Sequence, residues 1–292
     1  MDVLGAKVRA IRKSKKISQK ELSEGICTQA TISNIESKNR CDSLVIFSAI
    51  CRRLDVNVED CIEYTQEQKL NLFLDEIEKM CSRFDHKAAY QLLADYVVEE
   101  SEDIDGNAIL KSKYNYYQGI TALVGAKDSS SALFYFHQNI GYNKKPNIYE
   151  ILSINALGVL YENENEIDRA KVYYKKSLNL LKHYDGETAS MIYKIYYNSA
   201  QFYSQIKDYR TSIVLCEKGI YLNEVEETFY YLDFLYYELG FNKYMAGETA
   251  MMEYKTAYYL AKHLKNNELA KIILQDAKSY DFPFQADENG VI

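Results

Sequence analysis

Tryptophan is absent from this chain of 292 residues, and proline (two) and glycine (12) are scarce. So few breakers exclude an architecture of many short strands and turns. The polar and apolar rhythm between them predicts helices of about 12 to 20 residues. Histidine is scarce as well: His86, His137, His183 and His263 are scattered along the chain, which gives an acid–base or metal catalyst little to work with. Among Cys27, Cys41, Cys51, Cys61, Cys81 and Cys216 there is no C-x-x-C pair and no histidine at zinc-site spacing. Free, mostly buried thiols are therefore expected, with no metal, disulfide framework or cofactor. Long apolar runs are lacking too, and residues 1–10 carry charges where a secretory leader has its apolar stretch. Neither a transmembrane helix nor a signal peptide is expected, no membrane partner is expected, and the protein reads as cytoplasmic.

What is present is a chain with 47% hydrophobic and 26% charged residues, long enough for two domains with sizeable cores, and with 28 tyrosines. Tyrosine joins a large buried area to a hydrogen-bonding tip, which suits both packed helical hairpins and a ligand-lined groove. The net charge of −7 hides an asymmetry: residues 1–65 hold 11 Lys/Arg against 9 Asp/Glu, the remainder 24 against 33. Lys7, Arg9, Arg12, Lys13, Lys15, Lys16 and Lys20 face only Asp2 within the first 20 positions. That cluster fits either a solvated helix face or a phosphate-binding surface.

Five short helices are predicted in this first segment. Leu4, Val8 and Ile11 form a stripe on the first. Ser18 with Glu21 makes a capping box that opens the second, which carries Leu22 inward. After Gly25, Thr28 caps a third helix whose inward residues are Ile32 and Ile35. A fourth starts near Ser43 and buries Leu44, Phe47, Ile50, Cys51 and Leu54, and a fifth lies around residues 58–62. The string ISQKELSEGICTQATISNIES resembles the helix-turn-helix of phage-repressor (Cro/C1-type) domains. The resemblance implies that the second helix of the motif enters the major groove. Gln29, Ala30 and Asn34 would then face bases, with Thr31 and Ser33 beside them, while Gln19 and Thr28 hold phosphates and Lys13 and Lys16 add cationic contacts. Glutamine and asparagine pair bidentately with adenine and an alanine methyl packs on thymine, so A·T-containing steps suit this helix better than G·C ones. Arg12 and Glu36 match a structural pair of related repressors. Lys38 stands where glycine usually ends the recognition helix, and a left-handed cap is expected there at some cost.

From Gln66 onward the sequence repeats. Ile154, Leu157, Gly158, Tyr161, Ala170, Tyr174 and Ser177 occupy the spacing of the tetratricopeptide signature, and Tyr196, Ala200, Tyr203, Ser212, Cys216 and Gly219 repeat it. The small residues Gly119, Gly158, Ala200 and Gly240 lie 39, 42 and 40 apart, longer than the standard period of about 34 residues. Five hairpins are expected, at residues 67–100, 107–138, 147–183, 187–223 and 227–264, with a capping helix near 266–280. The expected fold is all-α: a repressor-type headpiece over residues 1–65, then a right-handed tetratricopeptide-like superhelix over 66–292.

A headpiece of this kind followed by such hairpins resembles the peptide-responsive regulators of Gram-positive bacteria, the Rgg–Rap–NprR–PlcR–PrgX group, and is nearest to its PlcR-like members. The resemblance implies a dimeric transcription regulator with two partners besides itself, an inverted-repeat operator in double-stranded DNA and a short signalling peptide held on the concave side of the repeats. The repeat register gives that side Lys113, Tyr116 and Ile120, then Leu152, Asn155 and Val159, then Lys194, Tyr197, Asn198 and Gln201, then Phe234, Tyr237, Phe241 and Tyr244. Amides can pair with a peptide backbone, aromatics can take its side chains and a lysine its carboxylate. Asn155 and Asn198 rank first because they match asparagine positions of PlcR-like proteins. Tyr258 and Tyr259 in the last hairpin are candidates for a dimer contact. Two other readings stay open: a helix-turn-helix regulator whose repeats only oligomerise or bind a protein partner, and a Rap-like phosphatase. An enzyme is not expected.

Overall fold

The computed structural model describes residues 1–96, 106–141, 145–186 and 191–282. The chain divides into two compact units, one being Met1–Asp75 and the other beginning at Glu76. Among the described residues there is no β-strand, only the isolated bridges Asp2↔Arg40 and Val3↔Ile62.

In the first unit, α1 (Gly5–Ser14), α2 (Gln19–Ser23), α3 (Gln29–Lys38) and α4 (Leu44–Arg53) are followed by a 3-10 turn at Glu59–Cys61. Ser18, Thr28 and Ser43 cap α2, α3 and α4 through their hydroxyls, as the sequence predicts. Val8, Leu22, Ile32, Ile35, Phe47, Ile50 and Leu54 form one buried core. Two expectations are corrected. Leu44 is 58% exposed: it shares a face with Phe47 but is the first residue of α4, one turn short of the core that Phe47 and Ile50 reach. The left-handed cap falls on Asn39 (φ 53°), with Lys38 still helical. Asparagine tolerates that backbone better than lysine, and its Oδ1 accepts a bond from the Gly5 amide at 3.2 Å.

The second unit is a run of helical hairpins. α5 (Gln66–Ser82) enters it and is followed by α6 (His86–Asp95), which packs on α7 and the π turn after it. α7 (Ala108–Thr121), prolonged by a π turn at Ala122–Ala126, pairs with α8 (Ser129–Gln138). α9 (Ile148–Asn163) pairs with α10 (Ile167–Leu181), and α11 (Ile192–Gln205) with α12 (Tyr209–Val225). α13 (Leu232–Met245) pairs with α14 (Met251–His263), and α15 (Asn267–Ser279) caps the array. The first helices of successive hairpins, α7, α9, α11 and α13, pack on one another. Small residues permit the pairing inside each hairpin: a Cβ on Gly158 would stand 3.0 Å from the Tyr174 ring, closer than ordinary packing allows. Phe84, Lys127, Asn165 and Lys207 close their hairpins in the left-handed region. This helix exit is most often glycine, and its assignment to other residues is why the glycine count is low.

Candidate functional site

In the first unit the capping box is complete: the Ser18 amide donates to Glu21 Oε2 at 2.7 Å and the Glu21 amide to Ser18 Oγ at 3.1 Å. Gly25 (φ 69°) turns the chain from α2 to α3. Thr28 Oγ1 then accepts from the Thr31 amide at 3.2 Å, so Thr31 is half-buried beside the cap. With Ile32 and Ile35 held in the core, Gln29, Ala30, Ser33 and Asn34 are exposed together on the opposite face of α3. Lys13 and Lys16 are exposed on and just after α1. Arg12 ties α1 to α3: its Nε donates to Glu36 Oε1 at 2.6 Å and its Nη2 to Oε2 at 2.9 Å, while Nη1 donates to the Ile17 carbonyl at 2.7 Å. Burial works to raise the Glu36 carboxyl, but the bonds from Arg12 and Gln19 outweigh it and hold the group below the usual carboxylate range. Gln19, expected at a phosphate, is half-buried and joins this network: its Nε2 donates to Glu36 Oε2 at 2.9 Å.

In the second unit the inner helices are packed more tightly than an open groove requires. Lys113, Tyr116, Ile120, Leu152 and Asn155 are all buried. Asn155, 1% exposed, donates to Ser177 Oγ and Ser199 Oγ, each at 3.3 Å, and its Oδ1 accepts from Asn198 Nδ2 at 3.0 Å. The two asparagines expected on a ligand are therefore bonded to each other across α9 and α11, with the half-buried Asn198 as the outer member. Tyr237 turns to the capping helix, where its hydroxyl donates to Asp276 Oδ2 at 2.8 Å, and Tyr244 stacks on Tyr280. Phe241 is half-buried and Gln201 exposed. Of the two tyrosines expected at a dimer contact, Tyr258 is buried and Tyr259 is exposed.

Between the inner helices lies a cavity of about 60 Å³ walled by Cys81, Tyr116, Tyr117, Lys194, Tyr230 and Tyr231, among others, and beside it a groove of about 480 Å³ lined by Phe84, Tyr230, Tyr231, Phe234 and Asn266, among others. Lys194 has its ammonium pushed down by burial, opposed by the Cys81 thiol. That thiol is itself pushed up to about 11 by burial. Nearby, burial and Lys194 lower His86 to about 4, and its Nε2 has no partner. No groups of metal-ligand type converge among the described residues. The sequence reading missed an aromatic cluster beside this cavity. Phe84, after α5, meets Phe234 of α13 at 5.9 Å between ring centroids, and Tyr231 meets Phe234 at 5.7 Å and Tyr197 at 5.6 Å. Phe84 and Tyr231 both hold left-handed backbones (φ 64° and 57°). The aromatic run FYYLDF at residues 229–234 was the available signal, and repeat spacing, which scores helices, passes over it.

Residues 8–61 match the helix-turn-helix model, and residues 153–180 and 193–226 match the tetratricopeptide repeat model. No curated protein matches the chain in sequence. Three solved structures are similar over nearly its whole length. PlcR of Bacillus thuringiensis in complex with the peptide PapR7 and DNA has 20% identity and a TM-score of 0.61, over 94% of this chain and 99% of that one. Its apo form gives 18% identity and 0.61, over 92% and 98%. ComR of S. thermophilus, in complex with DNA and its signalling peptide ComS, gives 13% and 0.50, over 96% and 100%. No helix among the described residues is long and apolar enough to cross a membrane. The chain is therefore a helix-turn-helix domain followed by tetratricopeptide repeats, in the fold of the peptide-responsive regulators PlcR and ComR.

Proposed function

We propose that this protein is a cytoplasmic, homodimeric transcription regulator that reads an operator through α3 and is controlled by a short peptide on the concave side of its repeats. The observation that carries the proposal is the exposed polar face of α3, with Gln29, Ala30, Ser33 and Asn34 presented by a capped helix that an internal Arg12–Glu36 pair fastens to α1. It is supported by solved structures of the same fold that hold both DNA and a peptide. Base readout falls to Gln29 and Asn34, with Ala30 for a thymine methyl. Thr28, Lys13 and Lys16 take phosphates, whose contribution is independent of sequence. A single headpiece offers little DNA-facing surface, so two half-sites and a dimer are required. The peptide would meet Asn198, Lys194 and Tyr197 first, and would reach Asn155, Lys113 and Tyr116 only once the inner helices part.

Operator selection from random duplexes, followed by anisotropy titration, tests the DNA half: Gln29→Ala and Asn34→Ala should each lose about 1 to 3 kcal/mol at the selected site. Absence of any duplex binding by folded protein at about 50 mM salt would refute it. Light scattering tests the dimer. The close packing of the inner helices favours a second reading, in which the repeats serve only as an oligomerisation or partner scaffold. Calorimetry with peptides encoded beside the gene separates the two, since binding lost in Asn198→Ala supports the first reading only.

A further inference from the structure

A second groove lies between the outer helices of the third and fourth hairpins, away from the concave side. Its floor is Tyr196 of α11, and its walls are Leu178 and Lys182 from the end of α10 with Arg210, Val214 and Lys218 from α12. Its volume is about 370 Å³. A neighbouring groove of the same volume shares Tyr196, Val214 and Lys218 and runs on past Glu217, its single carboxylate, to Tyr221 and Leu222. Arg210, Val214, Lys218, Tyr221 and Val225 follow one another at helical spacing on a single face of α12. Val214, Tyr221 and Val225 on that face are 48%, 67% and 56% exposed. Between Arg210 and Tyr221 the ridge measures about 17 Å at the helical rise, three turns.

Charge identifies the occupant. Lys182, Arg210 and Lys218 ring the apolar floor, and none of them takes part in any ion pair or hydrogen bond among the described residues. They stand on a part of the chain, residues 66–292, that carries 24 Lys/Arg against 33 Asp/Glu. Three unpaired cations beside an apolar trough on an otherwise acidic domain suit a ligand that is apolar on one face and anionic at its edges. Duplex DNA would need cations without the apolar trough, and an anionic membrane would repel the rest of the domain.

We propose that the groove between α10 and α12 docks an acidic amphipathic helix of a partner protein. Such a helix lays apolar anchors at i, i+4 and i+7 into the trough and sets its carboxylates against Lys182, Arg210 and Lys218. The site is separate from the concave side and does not depend on peptide binding there.

The probe is a fluorescein-labelled helical peptide of about 15 residues, four turns, with leucines at i, i+4, i+7 and i+11 and glutamates between them. Its twin with lysines in place of glutamates is the control. Anisotropy with the full chain should show saturable, salt-sensitive binding of the glutamate peptide and not of its twin. Arg210→Glu with Lys218→Glu should weaken it about tenfold or more, as loss of a central charge pair does, and Val214→Asp similarly, while Lys262→Glu on α14 leaves it unchanged. Both reversed side chains are exposed, and Glu at position 210 suits a helix N-terminus, so circular dichroism should report an intact fold. Equal binding of the two peptides, or unchanged binding by the double variant, overturns the proposal. So does a double variant that loses affinity for duplex DNA or for phosphatidylserine vesicles while the wild type ignores the glutamate peptide.

Discussion

Removing Glu36 should be among the most damaging single changes in the headpiece, although the residue touches no ligand. Glu36→Gln leaves the Arg12 guanidinium charged and buried without its counter-charge and with one of its three acceptors gone, and should cost about 3 kcal/mol in urea melts. Arg12→Met with Glu36→Leu should recover most of that loss, since buried pairs are often matched by apolar residues. The pH dependence has a definite sign. The Glu36 carboxyl is held below its ordinary range, so its stabilisation is present above the unfolded value and is lost as pH falls below about 4.5. Wild type and Glu36→Gln should therefore converge in stability between neutral pH and pH 3. Asn155 and Asn198 separate in the same way. Asn155→Ala strips partners from two buried serines and from Asn198 and should lower the unfolding free energy by about 1 to 3 kcal/mol. Asn198→Ala, at the outer edge, should lower stability by less than Asn155→Ala, so thermal melts of the two variants check the ranking.

At the scale of helices, most of what forms here is legible from the sequence because the signals are local. Ser18, Thr28 and Ser43 announce helix starts with their own side chains, and Ile32, Ile35, Phe47 and Ile50 announce the buried face by spacing. The small residues at Gly119, Gly158 and Gly240 mark where a ring from the second helix must fit. A Cβ on Gly119 would clash with the edge of the Phe136 ring, and Phe136 is itself fully buried. Gly119→Ala should lower the melting temperature by an amount equivalent to about 1 to 3 kcal/mol, and Phe136→Leu in the same chain should restore part of it. The concave side was less legible for a physical reason. Helical period says which residues turn toward the neighbouring hairpin, yet it cannot distinguish a residue facing a groove from one facing an adjoining helix. Lys113, Tyr116 and Asn155, expected on the groove, are buried in this structure. Tyr237 and Tyr244, expected there as well, are claimed by the capping helix.

Across the whole repeat array, Phe84 on the first hairpin and Tyr231 on the fifth converge on the ring of Phe234. Phe84→Ala should loosen this junction, and hydrogen exchange over residues 229–234 should quicken while the α9 and α11 amides keep their protection. The junction also bears on time. An array open at rest would capture a peptide at a rate that rises with concentration without limit, set by diffusion and orientation alone. Here Phe84 and Tyr231 meet Phe234 beside the inner cavity, so under the proposed function the observed rate of capture should climb and then level off at the rate of opening. Stopped-flow mixing would reveal that plateau, and Phe84→Ala should raise it. Under the proposed function, such an array would register how long a signal persists as well as how concentrated it is, ignoring a pulse shorter than the time its rings take to part.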